Sequence, residues 1–291
     1  MVVRRATSLE EYLERFSVTL AVMQDAEALE RIAYEFSEDH VAENVRYVEV
    51  RFCPLLSTRG DLTSSDVLDA VLTGLARARS DFDIHAGVIV SGLRSLPPHT
   101  SFEMAELAIA YKDRGVCGFD LAGAEAGHPA RNHVEALRAA QLAGVPITIH
   151  AGEGFGPQSI RDAIEVGGAN RLGHGTRLIE DPELLGVVRD AGIPLEVCLT
   201  SNVQTGVVDS YVTHPVRRYY DEGVPVCLCT DNRLMSGVTL TREYEHASDE
   251  VGFSWSELAR IARAGFEHAF AAAKVKASLL DRFDTELAEL A

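Results

Sequence analysis

Several short apolar runs end in residues whose types suit hydrolytic chemistry. Thr148-Ile149-His150 continues into Ala151-Gly152-Glu153, and Arg171-Leu172-Gly173 ends at His174. A third run ends at Thr200-Ser201-Asn202, a fourth at Thr230-Asp231-Asn232, and Val116–Leu121 leads into Ala122-Gly123. Imidazole and carboxylate are donors for a borderline cation such as zinc, and a carboxylate beside the metal but not bound to it can shuttle protons. Two histidines, one Glu and one Asp at successive strand ends therefore read as a metal-assisted hydrolytic site. Each also has a plainer reading. A lone strand-end histidine can be a core residue, Asp231 can cap a turn or helix, and Glu153 can be a solvent-facing loop carboxylate. Their joint placement favours chemistry. The remaining histidines are read as structural or exposed: His40 and His268 on helices, His85 on a strand, and His99, His128, His133, His214 and His246 in loops or on helix faces.

The elements that must position these residues alternate along the chain. Strand-like runs fall at 45–52, 84–90, 116–121, 145–150, 171–175, 193–199 and 224–230, with a helix-period stretch in nearly every gap. This is the βα repeat of a parallel sheet. Helix starts are marked by a capping box at Ser8 and Glu11, by Asp25, by Ser101, by Asp181 before Pro182, and by a second box at Ser254 and Glu257. Residues 254–290 read as helical. No linker or low-complexity tract divides the chain, so residues 1–291 read as a single domain. Polar residues gathered at C-terminal strand ends point to an α/β fold of the (β/α)8 TIM-barrel type, where catalytic residues come from several strands.

Composition narrows the partners. The 291 residues carry a net charge of −17, which disfavours a nucleic-acid backbone or an anionic membrane but not a small neutral ligand. No apolar run approaches the ~18 residues of a membrane span, and the N-terminus lacks a signal-peptide apolar region. Five cysteines, without a Cys-x-x-Cys, read as buried free thiols in a reducing compartment. A cytoplasmic location is expected.

The combined motifs resemble the adenosine deaminase family over essentially the whole chain. They are Thr148–Glu153, Gly173-His174-Gly175, Ser201-Asn202 with Thr205-Gly206, and Thr230-Asp231-Asn232, supported by Tyr47–Phe52, Asp120–Gly123 and Glu30–Phe36. The resemblance implies zinc-dependent hydrolytic deamination of adenosine or 2′-deoxyadenosine to the inosine product and ammonia. It implies His150 and Asp231 as zinc ligands and Glu153 as the acid/base at purine N1. His174 would orient and deprotonate the metal-bound water, Asp231 would share the catalytic centre, Gly123 would donate a backbone N–H to purine N3, and Asn232 would face purine N7. A deaminase of adenine or of another 6-aminopurine nucleoside shares the ring-reading residues, whereas Ser201–Gly206 favours a nucleoside. A non-catalytic remnant of the family is the alternative from another class.

The family's first strand ends in His-x-His, and no two histidines here stand two positions apart. The expectation is therefore a chain that starts after that strand and a barrel lacking one strand. The strands at 45–52 and 224–230 would then have open edges, and only two zinc ligands can be named where catalytic sites use at least three.

Overall fold

The computed structural model describes residues 16–290. Among them, seven strands alternate with helices, and the strands pair in parallel. This is the (β/α)8 TIM-type class expected from the sequence. The described residues form two compact units, one of residues 16–123 and 132–147, the other of 124–131 and 148–290. No helix among them is long and apolar enough to cross a membrane. The capping box expected at Ser8 and Glu11 lies outside the described residues.

The first unit contains α1 (Phe16–Leu20), α2 (Ala26–Ala42), β1 (Tyr47–Phe52), α3 (Ser64–Asp81), β2 (His85–Leu93), α4 (Pro98–Tyr111), β3 (Val116–Ala122) and α5 (Val134–Leu142). Asp25 caps α2 by accepting from the Ala28 N–H at 2.8 Å. Gly74 allows α2 and α3 to pack closely, because a Cβ there would lie 2.2 Å from the Glu30 carbonyl oxygen. The expectation of a cap at Ser101 is corrected: α4 starts at Pro98, and Ser101 is buried inside it. A proline at the first helical position gives up only an N–H with no intrahelical partner, so the helix starts upstream. β1 and β2 pair from Tyr47 opposite His85 to Phe52 opposite Val90. The β2–β3 register shifts between Val88 and Ile89.

The second unit follows with β4 (Ile147–Ala151), α6 (Pro157–Glu165), β5 (Arg171–His174), α7 (Pro182–Asp190), β6 (Leu195–Val197), α8 (Leu199–Gln204), α9 (Val216–Asp221), β7 (Val226–Leu228), α10 (Arg233–Ser236), α11 (Leu240–Asp249), α12 (Trp255–Glu267) and α13 (Ala273–Glu289). Asp181 caps α7, and Ser254 with Glu257 forms the expected box. β6 and β7 are shorter than their apolar runs. Pro194 and Pro225 have no N–H to donate, although their carbonyls still accept from Leu172 and Leu195. Beyond β6 the chain coils at once, so Thr200, Ser201 and Asn202 stand on α8 rather than on the strand. The helical segment expected over 254–290 breaks between α12 and α13. There the His268 carbonyl accepts from Arg171 Nη1, and the Arg171 guanidinium lies 3.5 Å from the centre of the Phe270 ring. Among the cysteines, Cys53, Cys198 and Cys227 are buried, Cys117 and Cys229 half-buried, and all five are free thiols.

Candidate active site

Strand pairing in the second unit brings the two site histidines side by side. His150 on β4 stands opposite Gly173 on β5, and Ala151 stands opposite His174. A Cβ at position 173 would lie 3.4 Å from His150 Cγ, so the glycine leaves room for the imidazole. The two rings are 5.3 Å apart. His174 Nε2 faces Glu153 Oε2 at 3.5 Å, and both side chains are buried. The solvent-facing reading of Glu153 is thus set aside. His174 and Asp231 both have positive φ, 62° and 52°. A non-glycine residue held there costs on the order of 1–3 kcal/mol, and such positions cluster at functional sites.

A buried hydrogen-bond chain determines which nitrogen of His174 carries its proton. The Val216 backbone N–H donates to His214 Nδ1 at 3.1 Å, and a backbone amide can only donate. His214 therefore carries its proton on Nε2 and gives it to Asn202 Oδ1 at 3.1 Å, where the Thr176 hydroxyl also donates. Burial, aided by nearby His174, pushes the His214 pKa down to about 3, so this imidazole is neutral. With its oxygen taken, Asn202 turns Nδ2 toward His174 Nδ1 at 3.1 Å. Neutral His174 consequently holds its proton on Nε2, the nitrogen that faces Glu153.

Asp231 follows β7, and each of its carboxylate oxygens accepts one hydrogen bond. Its Oδ2 accepts from the Ser201 hydroxyl at 2.7 Å, and its Oδ1 accepts from Asn232 Nδ2 at 2.6 Å. Asn232, not Asp231, occupies the cap position of α10. The structure thus brings His150, Glu153, His174, Asp231 and Asn232 into one compact unit. Gly123 belongs to the other unit, just past the end of β3, with φ +96°.

Three further site residues are not legible from strand-end position. His214, expected to be structural or exposed, belongs to the chain that orients His174. Glu243 on α11 accepts from the Leu199 and Thr200 N–H groups at 2.8 and 3.1 Å, anchoring the first turn of α8. Glu125 lies beneath the Glu153 loop; its one sequence signal is its place two residues beyond Gly123.

A catalytic zinc takes three protein ligands and leaves a position open. Among the described residues, no three His, Cys, Asp or Glu converge as a metal cage. His150 and Asp231 have the right donor chemistry, but they are two. These residues alone do not complete a catalytic zinc site.

Strand-end imidazoles and carboxylates on a (β/α)8 framework suit hydrolytic chemistry, and comparison with known proteins gives the class. Residues 1–286 match the family model described as adenosine deaminase. An adenosine deaminase of Mycobacteroides abscessus is 42% identical, over 94% of this chain and 80% of its own length. The crystal structure of an adenine deaminase from Arthrobacter aurescens superposes with a TM-score of 0.92 at 26% identity, covering 98% of this chain and 86% of that one. The N6-methyl-AMP deaminase of Arabidopsis thaliana gives 0.87 at 30% identity, covering 96% and 84%. An amidohydrolase from Burkholderia ambifaria, solved with bound Zn, gives 0.88 at 26% identity, covering 94% and 78%. The chain belongs to the adenosine deaminase family.

Proposed function

We propose that this protein converts adenosine and 2′-deoxyadenosine, with water, to inosine and 2′-deoxyinosine plus ammonia. The observation that carries the reading is the buried Glu153–His174 pair beside His150, in a chain 42% identical to an adenosine deaminase. Replacing the 6-amino group requires a proton at ring N1 while water adds at C6. Glu153 supplies the proton at N1, and its burial excludes bulk water from that transfer. His174, with its proton on Nε2, donates a hydrogen bond that orients the attacking water; the deprotonating role that the resemblance implies does not fit this tautomer, because Nδ1, its one acceptor nitrogen, already takes the Asn202 amide. Asn232 spends one amide hydrogen on Asp231 and keeps a second donor for purine N7.

Zinc belongs to this proposal, since one structural neighbour holds it. His150 and Asp231 are the residues that would contribute to its site, and bound zinc would supply an activated hydroxide. Further donors, beyond those the described residues bring together, would complete the site. A nucleoside in the cytoplasm, rather than nucleic acid or membrane, is the proposed partner.

The test is product analysis after incubation with adenosine, deoxyadenosine and adenine in buffer containing zinc. Inosine formation by the wild type, with none from Glu153→Gln, supports the reading. Absence of product, or preferential deamination of adenine, overturns it.

A further inference from the structure

Directly beneath the Glu153 loop, a second carboxylate is buried and takes no part in the chemistry proposed above. Glu125 is 3% exposed. Its Oε2 accepts from the Gly152 N–H at 2.9 Å and from the Ser159 hydroxyl. Its Oε1 accepts from the Glu153 and Gly154 N–H groups, both at 2.8 Å. Three successive amides thus converge on one carboxylate, with a side-chain hydroxyl as the fourth donor. Consecutive N–H groups turned to one side form an anion-binding nest, and Gly152, at φ +72°, provides the left-handed residue this backbone needs. A Cβ at Gly152 would also lie 2.5 Å from Ile160 Cδ1, so the loop backbone passes close to α6.

We infer that Glu125 is a positioning residue: it fills the amide nest of residues 152–154 and so aims the Glu153 carboxylate toward His174. Two physical consequences follow. Without Glu125 the buried Glu153 N–H would lose its acceptor and the Gly152 N–H would keep only Ser159 Oγ, and a buried donor left unpaired costs as much as a lost hydrogen bond. An empty nest would also attract another anion, and the Glu153 carboxylate on the same loop could fold back onto it. With Glu125 seated there, that collapse is blocked and Glu153 Oε2 stays 3.5 Å from His174 Nε2. Ser159 strengthens the seat from α6, because its oxygen also accepts from the Gly152 N–H at 2.8 Å.

The functional consequence rests on the deaminase reading, but the structural one does not, so the experiment reads both. Glu125→Gln turns one acceptor edge into an NH2 group that faces two donors. Backbone amide exchange should then accelerate about tenfold or more at residues 152–154. The β5 amides of Leu172 and Gly173 should keep their protection. In the turnover assay kcat should fall by about 10²-fold, the scale of an ångström-sized misplacement, with KM for adenosine nearly unchanged. Ser159→Ala, the milder variant, should accelerate exchange chiefly at Gly152 and serves if Glu125→Gln does not fold. Unchanged exchange at 152–154, or equal acceleration across the unit, overturns the inference. So does a kcat that survives when the loop loosens. If Glu153→Gln retains full turnover while the exchange pattern appears as expected, the deaminase role of Glu153 fails and the seating of its loop by Glu125 stands.

Discussion

Glu243 allows a quantitative test of how buried charge is managed next to the site. Its carboxyl is fully buried, and desolvation pushes its pKa up from 4.5 to about 7, despite hydrogen bonds from Thr200 and Leu199 that favour the anion. The folded state therefore holds a proton that the unfolded chain releases above its ordinary carboxylate pKa. Where the folded state binds more protons, stability falls as pH rises. The contribution of Glu243 is most favourable below about pH 4.5, declines through the interval up to about pH 7, and is flat above it. A shift of this size corresponds to about 3 kcal/mol. Other carboxylates act in the opposite sense: Glu257 is held down to about 2 by Arg217 and by Ser254. Glu243 must therefore be isolated by difference. Glu243→Gln does not titrate and keeps an oxygen for the Leu199 and Thr200 amides. Urea denaturation of both proteins from pH 4.5 to 7.5 should show wild-type stability, relative to the variant, falling by about 3 kcal/mol. A difference that stays level or rises refutes the assignment of a raised pKa to this group.

Other perturbations test the rest of the site and its support. His214→Phe leaves the Val216 N–H without its acceptor and Asn202 Oδ1 with one donor, so stability should fall by about 1–3 kcal/mol. The same variant should loosen the His174 tautomer, seen as mixed Nδ1 and Nε2 protonation in 15N NMR; a single unchanged tautomer would refute the relay. Arg171 Nε lies 2.7 Å from Glu196 Oε1, with both side chains buried, and Thr148 donates to the other carboxylate oxygen. Arg171→Leu should cost roughly 3–5 kcal/mol in denaturant unfolding, because a charge is left buried and unpaired; a loss within experimental error would rule out that pairing. With two recognisable zinc donors, metal content by mass spectrometry should drop after a mild chelator, and turnover should be low unless zinc is added. Tightly retained zinc would reveal ligands beyond His150 and Asp231.

The alternation of strands and helices was legible because its signals are local. Asp25, Asp181 and the Ser254–Glu257 box act on amides three residues away, and all three start helices as expected. The local rule failed at Ser101, where Pro97-Pro98 offered an earlier start, and at Thr200–Asn202, where α8 begins directly after a short β6. Strand-end position also singled out His150, Glu153, His174 and Asp231 as candidates, since catalytic residues in barrels of this class come from C-terminal strand ends.

By itself, then, the sequence determined the fold class, the family and the chemical types of the candidate site residues, all of which depend on neighbours within a few positions or on whole motifs. Tertiary structure alone decided how those residues are held. Asn202 meets His174 across 28 residues of chain, and Glu125 meets Gly152 across 27. No spacing rule connects such pairs; they meet because parallel strands place distant loops together. The proton position on His174 depends on a donor as remote as the Val216 amide, and the aim of Glu153 depends on a carboxylate that holds the amides of its loop. Burial made both outcomes specific, because in the absence of water each donor must find the one acceptor the fold provides.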